Sequence, residues 1–116
     1  AQGHSEDMVN YDFYSHRSKV NNKRNLRDRM KIVGIENAAY AENIHNSFAK
    51  EAEPTYWSFA TSIVKGWMES EGHRAAILSK KYKYLGCGVY YYINKKWLDY
   101  KWVKTTQNFS SSDSTK

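Results

Sequence analysis

Four histidines, one cysteine and several serines are the side chains of this 116-residue chain that could carry acid–base, nucleophilic or metal chemistry. His73 stands in the stretch WMESEGHRAAIL, with Ser70 three positions before it. A serine hydroxyl beside an imidazole can act as a nucleophile with its base. A serine that directly precedes a helix is also a good N-cap, and this simpler role accounts for Ser70. No HExxH pattern occurs in the sequence, which excludes a metalloprotease of that type.

Cys87 is the only cysteine of the chain, so the sequence excludes an internal disulfide. It lies in LGCGVYYY, between two glycines and inside a segment that alternates like a strand. A thiol in that setting is expected to be buried and unreactive. The lone cysteine does not decide the compartment, because many exported bacterial domains also lack disulfides.

The charge balance favours acidic partners without identifying one. Lys and Arg outnumber Asp and Glu by 18 to 12, for a net charge of +6. Such a surface attracts nucleic acid, anionic lipid or acidic glycans, and it also simply keeps a protein soluble. Nucleic acid is the least favoured partner, because no RNP-like run is present and the aromatic residues alternate with the spacing of a core. No segment approaches the roughly 18 apolar residues of a membrane span.

Hydrophobic spacing divides the single domain into helices followed by a hairpin. Residues 7–14 resemble the end of a helix, and a short helix is predicted from Leu26 to Val33, with Gly34 ending it. The clearest helix covers 56–69, and a second short helix follows over 71–79. The side chains expected to face inward from these two helices are Phe59, Ile63, Val64, Trp67, Ala75, Ile77 and Leu78.

From residue 85 the hydrophobic period changes to two, which predicts a strand. The residues expected on one face are Leu85, Cys87, Val89, Tyr91 and Ile93. A turn at 94–96 leads to a partner strand over 97–103, and residues 37–44 are a further extended segment. The order of elements therefore predicts an α+β domain, with helices packed on a small antiparallel sheet.

Five segments resemble motifs of the CAP superfamily, which comprises cysteine-rich secretory, antigen 5 and pathogenesis-related proteins. They are HSEDMVNYDFYSH (4–16), AENI (41–44), WMESEGHRAAIL (67–78), YLGCGVYYY (84–92) and TTQNF (105–109). Each is weak alone, but their order and spacing are specific, and the closest likeness is to compact bacterial members. The resemblance implies a three-layer α-β-α sandwich over residues 1–109, with a shortened first helix and a flexible tail over 110–116.

The same resemblance implies a central cleft, which in the family is lined by two histidines and two acidic residues. Matched motif by motif, these positions are His16, Glu42 and His73, with Ser70 in place of the second carboxylate. One cleft formed by these four residues is therefore expected. Two imidazoles and a carboxylate would suit zinc or another divalent cation, so His16, Glu42 and His73 are the expected metal ligands.

Simpler structural roles are open for the same side chains. His16 could cap a turn, His73 could bond backbone at a helix start, and Glu42 could form a structural ion pair. The remaining histidines, His4 and His45, are expected on the surface or behind the cleft. No catalytic residue is predicted.

The function that the resemblance implies is a binding domain of a secreted or surface-exposed bacterial protein. Its ligand would be a cation, a lipid or sterol, a glycan or a host macromolecule. An export signal, with or without a lipid anchor, would lie outside this sequence. Two alternatives are a peptidase-like hydrolase of the same fold and a domain that binds lipids or anionic surfaces.

Overall fold

Four helices and three strands form the domain in the computed structural model, which describes residues 1–48, 55–94 and 100–112. The elements, in chain order, are α1 (Gln2–Asn10), α2 (Leu26–Ile32), β1 (Tyr40–Phe48), α3 (Tyr56–Met68), α4 (Glu71–Leu78), β2 (Tyr84–Asn94) and β3 (Tyr100–Ser110). The α+β class is confirmed, and each helix and strand expected from the hydrophobic periodicity has a counterpart, although the bounds differ, most of all for β3.

The three strands form one antiparallel sheet in the order β1-β3-β2. The last strand in the chain is the central one, and both Tyr40 of β1 and Tyr84 of β2 lie opposite Ser110. β1 and β2 are therefore the two edge strands among the described residues. The long β3 lies between β1 and β2 and holds these two strands in register.

Helices cover both faces of the sheet. Neighbouring residues of β3 point to opposite faces, so each face has side chains that pack against a helix. On one face Val103 is fully buried and packs against Phe59, Ile63 and Trp67 of α3. On the other face the buried hydroxyl of Thr106 lies 2.8 Å from that of Ser5 in α1. The arrangement is the expected three-layer α-β-α sandwich.

The side of the sheet that carries α1 has a smaller core. Met8, Phe13 and Ile44 form a buried cluster there. The ammonium group of the buried Lys104 donates to the carbonyls of Met8 and Phe13, at 2.9 and 3.1 Å. These bonds attach the end of α1 to the central strand, and desolvation lowers the pKa of Lys104.

Local sequence signals begin and end the helices. Asn25 and Thr55 each form a reciprocal capping box, with Asp28 and Ser58 as their partners. Gly34 follows α2 with φ 82°, a conformation that glycine adopts without steric cost. The expected end of this helix at Gly34 is confirmed.

Several expectations about burial are wrong. Val64 and Leu78 were expected to face inward but are 44% and 63% exposed, and Ala75 is exposed as well. Leu85 and Ile93, near the two ends of β2, are 56% and 58% exposed.

The partner strand of the hairpin runs further than predicted, as far as Ser110. Phe109 and Ser110 are 5% and 3% exposed, so the expected tail cannot begin there. The predicted start of that strand at 97, most of the predicted turn and the last four residues of the tail lie outside the described residues. No helix within the described ranges is long and apolar enough to cross a membrane.

Candidate functional site

Glu42 is the centre of a buried polar network on the α1 side of the sheet. It lies opposite Asn108 in the β1–β3 ladder, and its side chain is only 2% exposed. Arg29 of α2 donates through Nη2 to both carboxylate oxygens, at 3.0 and 2.9 Å. The ring of His16 lies with Nδ1 2.9 Å from Oε1. Both oxygens of the buried carboxylate are therefore occupied.

Arg29 ties three parts of the chain to this carboxylate. Its side chain is 8% exposed, and Nη1 donates to the carbonyl of Lys23 at 2.8 Å. Nη2 also donates to the carbonyl of His16 at 3.0 Å. The guanidinium thereby holds the backbone of the loop that carries His16, and it also pairs with the Glu42 carboxylate beside that loop.

The ionised form of Glu42 is favoured in the folded protein. Burial by itself raises the pKa of a carboxyl group. The hydrogen bond from His16 and the charge of Arg29 outweigh that desolvation, and the pKa of Glu42 lies below its usual value. A carboxylate that is ionised and bonded in this way fixes the proton of His16 on Nδ1.

His16 is the outward-facing member of the network. Its side chain is 58% exposed, although one edge of the ring is held by Glu42. Nε2, on the opposite edge, makes no hydrogen bond to the residues that the structure describes. With the proton on Nδ1, this second nitrogen is a hydrogen-bond acceptor in the neutral ring.

His4 belongs to the same network, so of the two places expected for it, the surface or a position behind the site, the surface is excluded. It is 2% exposed, and Nε2 lies 2.9 Å from the carbonyl oxygen of Ser15 and 3.9 Å from Oε1 of Glu42. Desolvation lowers the pKa of His4, so burial favours the neutral ring. The HSEDM segment carried the signal that His4 is buried, because His4, Ser5 and Met8 share the face of α1 that is turned toward the sheet.

His73 and Ser70 lie on the opposite face of the sheet from His16 and Glu42. Asn43, the residue after Glu42, donates to the carbonyl of His73 at 3.2 Å and to Gln107 at 3.1 Å. Successive side chains of a strand point to opposite faces, so Glu42 and Asn43 project into different layers. The described bonds join these four residues as two separate pairs, His16 with Glu42 and Ser70 with His73.

The expected zinc ligands do not meet for the same reason. His16 and His73 are separated by the sheet, and the carboxylate of Glu42 is already bonded to Arg29 and His16. In the part of the chain that the structure describes, no group of three His, Cys, Asp or Glu side chains could hold a metal ion. The residues present do not fit the zinc site that the resemblance implied.

Ser70 and His73 form a pair of their own at the start of α4. The hydroxyl of Ser70 lies 2.8 Å from Nδ1 of His73. Ser70 occupies the N-cap position, but its side chain makes no capping bond to the backbone. The simple N-cap role expected for Ser70 is therefore wrong. Within the described residues, none of the ion pairs or hydrogen bonds joins the His73 ring to a carboxylate that would orient it.

His45 is half-buried behind this pair. Its ring meets Trp67 edge to face, with the ring centroids 6.2 Å apart. Desolvation and, to a smaller extent, the charge of His73 lower its pKa. His45 therefore lies in the α3–α4 layer, in keeping with the place behind the site that was expected for it.

Cys87 differs from the expectation in its exposure. Its side chain is exposed at the edge strand β2 and borders an apolar groove under α3, about 260 Å³ in volume. Desolvation by the surrounding atoms raises the pKa of the thiol. The thiolate is thus disfavoured, although the charge of the N-terminal ammonium group acts on the pKa in the opposite direction.

Comparison with known proteins supports the resemblance seen in the motifs. The sequence profile of CAP, the cysteine-rich secretory protein family, matches residues 1–109. Two similar proteins come from Bacillus subtilis (strain 168). The uncharacterized membrane protein YlbC is 36% identical over 102 residues, which cover 84% of this chain and 26% of YlbC. The uncharacterized protein YkwD is 32% identical over 88 residues, which cover 76% of this chain and 30% of YkwD.

The chain therefore spans less than a third of the length of either relative. No solved structure matches it at a significant level.

Proposed function

Because this chain belongs to the CAP, or cysteine-rich secretory protein, family, we propose that it is a non-catalytic binding domain of a secreted or surface-exposed bacterial protein. Its ligand is bound at His16. The name of YlbC places that relative in a membrane, which supports a location at the cell envelope for this domain too. The long remainder of both relatives fits a domain that works as one module of a larger protein.

The observation that carries this proposal is the fixed and exposed ring of His16. Glu42 holds one edge of the ring at 2.9 Å, and Arg29 holds Glu42 through two bonds. A recognition group that is already immobilised loses little conformational entropy when a ligand binds. When the ring is neutral, Nε2 accepts a hydrogen bond, so a ligand that donates one fits this site. Hydroxyl groups of envelope glycans supply such donors in abundance.

Co-sedimentation with purified cell-wall sacculi tests the proposal. We expect His16→Ala to weaken binding about tenfold, the equivalent of one hydrogen bond of roughly 1.4 kcal/mol. Arg17→Gln is the matched control, because Arg17 is exposed and adjacent but makes no side-chain bond to Glu42. Binding of the His16→Ala variant at the strength of the parent protein would exclude His16 as the recognition group.

Zinc binding provides a second and independent check. The arrangement predicts that the parent protein, His16→Ala and His73→Ala give the same isotherm when titrated with zinc chloride by calorimetry. The reason is that neither histidine has a second ligand from the other face of the sheet. A loss of zinc affinity in both variants would restore the single cleft and refute the separation described above.

A hydrolase is the second candidate function, because Ser70 lies 2.8 Å from His73. This distance is the geometry of a nucleophile and its base, but a third group that orients the base is missing among the described side chains. A fluorophosphonate probe, which reacts with activated serines, distinguishes the two functions. The binding-domain proposal predicts no labelling. Labelling that disappears in Ser70→Ala would establish the hydrolase instead.

A further inference from the structure

The strand β2 has an outer side that is almost unoccupied. It pairs with β3 along one side, and no strand in the described part of the chain pairs with the other. Val89, in the middle of β2, directs its N–H and C=O to this outer side, where both bond to the side chain of Gln2. Because backbone groups alternate in direction along a strand, every second residue presents the same two groups to the outer side. These residues are Leu85, Cys87, Tyr91 and Ile93.

The remaining outward backbone groups of β2 are open to a partner. Leu85, Tyr91 and Ile93 are 56%, 37% and 58% exposed, and Cys87 is exposed as well. Among the residues that the structure describes, only Gln2 forms hydrogen bonds to this side of the strand. A long strand edge with free donors and acceptors is a template on which a further strand can pair.

The contact between Gln2 and Val89 shows which chemical group this edge accepts. Nε2 of Gln2 donates to the carbonyl of Val89 at 2.9 Å, and the N–H of Val89 donates to Oε1 of Gln2, also at 2.9 Å. A carboxamide carries the same donor and acceptor as a peptide group. The Gln2 side chain therefore makes the two bonds that one residue of an adjacent antiparallel strand would make. Peptide backbone is the chemistry that continues these bonds along β2.

An apolar groove borders the same edge on the α3 side of the sheet. This α3–β2 groove has a volume of about 260 Å³, and its lining includes Ile63, Val64, Cys87 and Val89. In an antiparallel pair, residues directly opposite each other have their side chains on the same face. A peptide residue that bonds to Val89 or Cys87 would thus place its side chain over the groove, which favours apolar residues at every second position.

We propose that β2 binds an extended peptide segment as a fourth, antiparallel strand of the sheet. The segment displaces the side chain of Gln2 from Val89, and its apolar side chains enter the α3–β2 groove. Backbone hydrogen bonds supply the affinity of such an added strand, and the groove supplies its selectivity. This interaction goes beyond recognition at His16, because the carboxylate that holds His16 belongs to β1, the opposite edge strand.

A synthetic peptide tests strand addition by NMR and hydrogen exchange. The probe is a capped peptide of alternating valine and threonine, with a lysine at each end that keeps it soluble and opposes attraction by charge. We expect the amide signals of Leu85, Cys87 and Tyr91 to shift on titration. Their exchange should slow about tenfold when the free peptide is at ten times its Kd. Absence of these changes at millimolar peptide would overturn the proposal.

Methylation of the peptide nitrogens separates strand addition from apolar adhesion. The valines that enter the groove are the residues whose N–H groups face β2, whereas the threonine N–H groups point away. The peptide methylated on its valine nitrogens should therefore lose binding, and the peptide methylated on its threonine nitrogens should keep it. Equal binding by the two methylated peptides would contradict pairing with the strand edge.

Variants of the protein test the same edge from the other side. Cys87→Pro removes one outward N–H while the bonds to β3 come from the neighbouring residues, so peptide affinity should fall about fivefold, the equivalent of one hydrogen bond. Cys87→Val keeps the N–H and is the matched control, and circular dichroism shows whether each variant is folded.

Gln2→Ala has the opposite expected effect. It removes the side chain that competes for Val89, so peptide affinity should rise about fivefold. An unchanged or lower affinity would refute the role of Gln2 as a stand-in for a peptide group. His16→Ala should leave peptide binding unchanged, which separates this result from the proposed function.

Discussion

Replacement of Glu42 by glutamine is the most informative perturbation of the domain. Glutamine has the size of glutamate and keeps one acceptor oxygen, but it removes the negative charge. The buried carboxylate accepts two bonds from Arg29 and one from His16, all between 2.9 and 3.0 Å. The substitution therefore leaves a buried guanidinium without its counter-charge and forces an amide group against one of these donors.

The size of the stability loss follows from the burial of the ion pair between Glu42 and Arg29. Breaking a buried ion pair by removing one partner costs about 3–5 kcal/mol. Arg29 keeps its bonds to the carbonyls of Lys23 and His16, which places the expected loss of unfolding free energy near the lower limit, about 3 kcal/mol. Domains of this size have roughly 5–15 kcal/mol of stability, so the variant should still fold.

Urea denaturation followed by circular dichroism measures this loss. With a slope of about 1.5 kcal/mol per molar urea, the midpoint of the variant should fall by roughly 2 M. Glu69→Gln is the control, because Glu69 pairs with Lys65 at 3.8 Å on the exposed face of α3. That exposed pair should contribute less than about 0.5 kcal/mol. A Glu42→Gln midpoint within about 0.5 M of the parent value would refute the central role assigned to the network.

The same substitution has a signature in the pH dependence of stability. The pKa of Glu42 is lower in the folded protein than in the unfolded chain, so the unfolded chain binds the proton more readily. This contribution is fully present above the ordinary carboxyl pKa and is lost as the pH falls through the lower folded value. Glu42→Gln should remove this acid-dependent part of the stability curve.

Three further predictions follow from individual contacts. The lowered pKa of His4 means that stability should fall as the pH drops below the ordinary histidine pKa. His4→Gln keeps a donor for the carbonyl of Ser15 but cannot titrate, so it should reduce that fall. Urea titrations at several pH values measure the difference. Gly88→Ala should destabilise the protein by about 1–3 kcal/mol in urea, since its Cβ would lie 2.3 Å from the backbone of Gln2, whereas Gly86→Ala has open space and should cost much less. Thr55→Ala should lower the thermal midpoint through a loss of about 1 kcal/mol, because Thr55 caps α3; an unchanged midpoint would contradict that capping role.

Much of the fold could be predicted because local chemistry specifies the individual elements. The spacing of Phe59, Ile63 and Trp67 requires a helix with one apolar face, and all three residues are buried in α3. The change to a period of two at residue 85 likewise predicted β2. Local chemistry left open how much of each helix or strand is buried by its neighbours. Leu85 was therefore expected to be buried but is exposed.

The composition of the candidate site depended on tertiary structure. The motifs identified His16, Glu42, Ser70 and His73 as residues of interest, and the structure arranges them as two hydrogen-bonded pairs. The separation of these pairs depends on the direction of one side chain in β1, because a shift of one residue along a strand moves a side chain to the other face of the sheet. Glu42 faces α1 and α2, whereas its neighbour Asn43 faces α4.

The chain motifs placed four residues in one group, and the structure bonds them in two pairs. The sequence by itself determined the class of the fold, the order of the helices and strands, and the family. Only the packing of helices on opposite faces of the sheet decided that His4 and Arg29, rather than His73, surround Glu42. The physical reason is that burial and charge pairing join residues distant in the chain, and a linear pattern carries no record of which layer each one enters.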